Sequence, residues 1–151
     1  MASRPDPGGA LSTMPRRLVA IIVGAGVGVA LAVTATIAVR HLWLAYVIAE
    51  PTKAYSLPML FARLAVGALC MVAAAWASTR VARDAGTAAR WLGGVVLAGS
   101  LWVHLVRVWA DYPAWYHVVY LSYLVPLAAM GGRLASRRAS GGMRAGGSRV
   151  V

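Results

Sequence analysis

His104, Arg107 and Asp111 stand at i, i+3 and i+7 within the apolar stretch Trp91–Pro126, so on a helix they share one face. His117 follows a short turn at Asp111-Tyr112-Pro113, and Arg63 interrupts a separate apolar run. Ionisable side chains are expensive inside apolar segments, so each marks a place where something must compensate it. A structural network is the simplest chemistry they allow. Arg107 pairs with Asp111 one turn away, Arg63 takes a carbonyl or Asp111 from a facing helix, and His104 and Ser100 bond across helices. The alternative is a ligand site. Arg63 and Arg107 are planar, permanently charged donors suited to a phosphate or carboxylate, and acids do not fully neutralise them. Its binding set is Arg63, His104, Arg107, Asp111, His117 and Tyr120, with the Tyr116-Tyr120-Tyr123 side as an apolar wall. A lipid headgroup, a quinone or a lipid-linked substrate fits that description.

Two further chemistries find less support. His41, His104 and His117 lie on separate segments and have the donor type for haem or zinc. Neighbouring arginines repel a cation, however, and no C-x-x-C or H-E-x-x-H pattern occurs, so no metal ligand is assigned and the cofactor stays unspecified. Ser100 and His104 share a face at i, i+4, yet no G-x-S-x-G surrounds the serine, so no catalytic residue is assigned. The balance leans away from an enzyme.

The elements that must hold these residues are transmembrane helices. Of the 151 residues, 60% are hydrophobic and only 13% charged. The apolar residues also come in long blocks rather than alternating with polar ones. The net charge of +11 does not imply nucleic acid, because the basic residues flank the apolar blocks as membrane topology requires. The preference for Arg over Lys, with abundant Ala, Val and Gly, matches a high-GC bacterial coding sequence. The single Cys70 sits mid-span, so no intramolecular disulfide forms.

The expected fold is an all-α membrane protein, a bundle of four transmembrane helices with short loops and disordered termini. The spans are 18–39, 58–78, 91–110 and 114–130, within a domain of residues 16–132. Residues 1–15 form one disordered end and the basic tail 133–151 the other, with Gly131-Gly132 ending the last helix. Leu18–Val39 is uncharged and about 33 Å long at 1.5 Å per residue, too long for a signal-peptide core, so it stays as a helix. Its face Ala20, Gly24, Gly28, Ala32, Thr36 suits close approach of another helix. The segment HLWLAYVIA after Arg40 is too short to span again; it extends the first helix or lies on the surface, and stops before Pro51.

Basic residues cluster at the N-terminus, in 79–90 and in the tail, whereas the two other loops hold Glu50 and Asp111. The positive-inside rule then places both termini in the cytoplasm and the protein in the cytoplasmic (inner) membrane. The expected role is an accessory or assembly subunit of a larger membrane complex. Its partners are membrane lipids and other transmembrane helices, in a homo- or hetero-oligomer. The alternative is a lipid- or quinone-binding protein or enzyme of the outer leaflet. Topology is testable with single cysteines in a Cys70-free background. Positions near Gly86 and Gly141 stay protected from impermeant maleimide in intact cells, while Tyr55→Cys labels; labelling at Gly86 would overturn the arrangement.

Overall fold

A computed structural model describes the backbone of residues 7–146 and the side chains of residues 14–137. Four long apolar helices pack as a bundle, and each is long and apolar enough to cross a membrane: Met14–Leu42, Leu57–Ala82, Thr87–Arg107 and Ala114–Arg137. They lie within α1 (Pro7–Leu42), α3 (Leu57–Ala82), α4 (Thr87–Trp102, continued by an irregular turn to Arg107) and α5 (Ala114–Gly146). A short helix, α2 (Leu44–Ala49), joins the first two. The chain is a multi-pass membrane protein.

The third helix in sequence is central, packing against α1, α4 and α5. Close approach depends on small residues, as expected where lipid tails remove most of the hydrophobic drive between helices. A Cβ added at Gly24 of α1 would lie 2.8 Å from the Ala74 carbonyl oxygen and from Ser78 Cβ of α3. One added at Gly131 of α5 would overlap the Val72 carbonyl oxygen. The core between these contacts is Met71, Ala74, Ala75, Ala89, Leu92, Leu124 and Ala128.

Two ends of helices differ from expectation. Gly131 and Gly132 do not stop the last helix, which runs on to Gly146. A glycine ends a helix by turning left-handed; among the described residues only Gly86 does so, at φ 92°. Gly131 and Gly132 stay helical and are there for their size, against α3 and against Ala89 and Gly86. The first helix begins at Pro7, ahead of the Arg16-Arg17 pair, since each residue added to an existing helix brings one more backbone bond. The calls for disorder at 1–6 and 147–151 lie outside the described residues.

The loops are tied by polar groups. Trp43, at φ −133° and ψ 86°, breaks the chain between α1 and α2: His41 and Leu42 extend α1, and Leu44–Ala49 forms a helix of its own. Arg40 and Glu50 then close the loop with a 2.7 Å ion pair. Between α3 and α4, Arg83 turns left-handed and the Asp84 carboxylate accepts the Gly86 and Ala88 N–H groups, both at 3.0 Å. That caps orphan donors at the start of α4.

Gly131→Val should lower stability in detergent by about 1–3 kcal/mol, the usual cost of overpacking. Gly26→Ala, with nothing within 4 Å of the added carbon, should match or slightly exceed the parent. Thermal unfolding of both variants checks this. Equal melting of parent and Gly131→Val would show that the α3–α5 contact is not as close as described.

Candidate functional site

The local backbone decides which polar residues meet. After Trp102 the helix widens into a π turn, Val103–Arg107, in which Val108 N–H donates to the Val103 carbonyl at 3.1 Å. A tight 3₁₀ turn, Trp109–Asp111, follows. Bonds that skip an extra residue rotate every later side chain away from α-helical phase. His104 continues the inward face of Leu92, Val96 and Ser100 and is buried, while beyond it Arg107 is exposed and Asp111 half-buried. The shared face of His104, Arg107 and Asp111 is broken up, and the expected Arg107–Asp111 pair does not form. Among the described residues the ion pairs are Arg17–Asp84 and Arg40–Glu50.

His104 meets His117 instead. Their Nδ1 atoms lie 2.8 Å apart. His117, only 1% exposed, directs Nε2 at the carbonyl oxygens of Trp109 and Tyr112, each at 3.3 Å. Two acceptors at Nε2 require a hydrogen there, so in the neutral ring Nδ1 is the acceptor and His104 Nδ1–H donates to it. The pair thus supplies donors to carbonyls that the π and 3₁₀ turns leave without helical partners. Rings hold it in place: Trp109 stacks on His117 at 4.7 Å and Tyr120 on His104 at 4.5 Å. His41 is exposed at the end of α1 and does not join them. Among the described residues no group of three His, Cys, Asp or Glu is placed to hold a metal ion.

Arg63 lies in a separate aromatic cage that spacing did not reveal. Its guanidinium carbon is 5.0 Å from the Tyr55 ring centre, 5.3 Å from Tyr112 and 6.0 Å from Tyr46. One terminal nitrogen donates to the Tyr46 hydroxyl. The Nε–H is buried with no partner, and none of the ion pairs among the described residues includes Arg63. Burial pushes the phenols of Tyr55 and Tyr112 above their ordinary range, although Arg63 opposes it, so both rings stay neutral and leave the cation uncompensated. No spacing in the sequence groups Tyr46 and Tyr55 with Arg63; α2, in which Tyr46 is buried, makes them a cage.

Two separate cavities lie along α1 and α3. One of about 90 Å³ lies beside Arg63, lined by Ala35, Thr36, Val39, Tyr46 and Ala62. The other, about 250 Å³ and nearly all apolar, is lined by α3 from Gly67 onward and shares no wall residue with the first. Small residues of α1 and α3 wall it, including Gly28, Ala32, Gly67, Cys70 and Ala74, with Tyr120 and Leu124 of α5. Of the expected ligand set, Arg63 lines the smaller space and Tyr120 the larger, His104 stacks on Tyr120 and pairs with His117, and Arg107 and Asp111 line neither.

No known protein family, curated protein or solved structure matches this chain.

His117→Phe keeps a ring between Trp109 and Tyr112 but strands their carbonyls. It should destabilise by about 1–3 kcal/mol, the cost of unsatisfied buried groups. Arg107→Gln, at an exposed side chain, should stay within about 0.5 kcal/mol of the parent. Unfolding in detergent measures both; a harmless His117→Phe would remove the structural role of the histidine pair.

Proposed function

We propose that this small multi-pass membrane protein binds an anionic amphiphile taken from the bilayer, with Arg63 holding the headgroup and the apolar cavity holding the tail. One observation carries the reading: Arg63 is a part-buried cation whose Nε–H has no partner and which forms no ion pair among the described residues, beside a small cavity, with a larger apolar space lined by the next turn of α3. A charge in such a place needs a counter-charge, and the cage of neutral phenols offers only dipoles and ring faces. The accessory-subunit role relied on small-residue faces for partner helices. Gly24 and Gly28 are already covered by α3 within the chain, which favours the Arg63 site as the seat of function.

The side of the membrane follows from charge. Arg63 shares one end of the bundle with Glu50, Asp111 and the end of α1, and the basic clusters lie at the other. With basic ends cytoplasmic, Arg63 sits in the outer half of a bacterial inner membrane.

Native mass spectrometry after mild extraction tests the reading. The parent and Arg107→Gln should carry an acidic amphiphile, and Arg63→Gln should lose it while still melting cooperatively. Retention of the amphiphile by Arg63→Gln, with only stability reduced, would make Arg63 a structural residue and end the proposal.

A further inference from the structure

We infer a second anion site at the basic end of the bundle, where Arg90 of α4 and Arg133 of α5 together hold the phosphate of an acidic phospholipid headgroup. It is independent of the Arg63 reading and lies at the opposite end of the helices. The backbone brings the two arginines together. A Cβ added at Gly132 of α5 would lie 3.3 Å from Gly86 Cα and 2.9 Å from Ala89 Cβ, so the first turn of α4 sits directly against α5. Arg90 follows Ala89, and Arg133 follows Gly132. Both line one cavity of about 140 Å³, with Ala85, Gly86 and Ala129 as the rest of its wall.

Two permanent positive charges on one cavity favour an anion between them. The protein does not supply it. Asp84 is the one acid of the 79–90 segment, and its carboxylate already accepts the Gly86 and Ala88 N–H groups and pairs with Arg17 at 3.7 Å. Other arginines of this end have protein partners. Arg16 donates to the Val81 carbonyl at 3.1 Å, and Arg80 lies 5.2 Å from the Trp76 ring centre. Among the described residues, Arg90 and Arg133 have neither an ion pair nor a side-chain hydrogen bond. Both are exposed, so their N–H groups are open to a ligand.

Chemistry and level choose the anion. Guanidinium forks from two helices meet a tetrahedral phosphate well, because its oxygens diverge, whereas a flat carboxylate turns both oxygens to one fork. Arg90 stands three residues after Thr87, the first of α4, about 4.5 Å of rise from that end. Arg133 lies one turn before Arg137, where the last candidate span ends. Both therefore sit at the ends of spans, the level of headgroup phosphates rather than of hydrocarbon. The phosphodiester of an acidic phospholipid brings one negative charge and no cationic group to repel the arginines, unlike phosphatidylcholine. Free phosphate has the same oxygens but no chains to hold it at this level.

Native mass spectrometry of the full-length protein, delipidated in mild detergent and titrated with lipid, tests the site. Phosphatidylglycerol should bind about tenfold more tightly than phosphatidylcholine or diacylglycerol. Arg90→Gln and Arg133→Gln should each weaken it by about tenfold, the scale of one lost charge-assisted hydrogen bond. Arg137→Gln, also exposed but off the cavity, should bind like the parent. Arg63→Gln, at the other end, should keep this lipid as well. Melting curves of the Arg90, Arg133 and Arg137 variants should match the parent. Equal losses at Arg90, Arg133 and Arg137 would reduce the site to diffuse attraction by a basic surface and overturn it. Loss confined to Arg63→Gln would place the lipid at the other end, overturning this site and leaving the Arg63 proposal standing. Phosphatidylglycerol held no better than phosphatidylcholine would overturn it as well. Millimolar inorganic phosphate should displace little of the lipid. Displacement by phosphate that depends on Arg90 would overturn the phospholipid as occupant in favour of a free anion.

Discussion

The bundle depends on how closely α3 can be approached. Without water to drive helices together, contact at backbone distance is what holds them, and only glycine permits it. Gly24 and Gly131 bring α1 and α5 onto the two sides of α3, against carbonyl oxygens rather than side-chain tips. The helices are fixed in register near Ala74 and Ala75. Beside that level Gly28, Ala32, Gly67 and Cys70 carry too little side chain to fill the groove between α1 and α3, and a cavity remains.

The other end is held by backbone chemistry. A membrane gives no relief to a carbonyl without a donor, so irregular turns near its edge must be satisfied by protein. Leaving α-helical geometry at Val103 frees carbonyls at Trp109 and Tyr112, and His117 reaches both from the next helix. His104, buried on the inward face of its helix, completes the chain of donors. Tyr120 and Tyr116 stack beyond it, and Tyr112 stacks on Tyr55 of the Arg63 cage at 5.8 Å. The histidine pair and the arginine cage are thus separate polar sites joined by aromatic packing.

Four helices, their order and their approximate limits were legible in the sequence because bilayer thickness demands long uncharged blocks such as Leu18–Val39. Arg63 stood out for the same reason. The grouping around it did not, for two physical causes. Face arguments assume 3.6 residues per turn, and the π turn at Val103–Arg107 breaks that assumption where His104, Arg107 and Asp111 were aligned on it. Nothing in single-residue composition announces a π turn. The cage, for its part, joins Tyr46, Tyr55 and Tyr112 from three segments, and only the fold-back of α2 at Trp43 brings the first of them to Arg63. Glycine was read by its usual habit of ending helices; at Gly131-Gly132 its smallness mattered instead.

Arg63 has one more consequence, electrical rather than steric. It lies six residues into α3, about 9 Å along the helix, or roughly a third of a 30 Å hydrocarbon core. A fixed charge at that depth sits within the transmembrane field. Moving one charge through the whole field is worth about 2.3 kcal/mol per 100 mV, so a third of the way is worth about 0.8 kcal/mol. For the anion binding proposed above, entry from the nearer aqueous phase would cross that fraction of the voltage, and the binding constant would change by roughly fourfold per 100 mV with how strongly the membrane is energised.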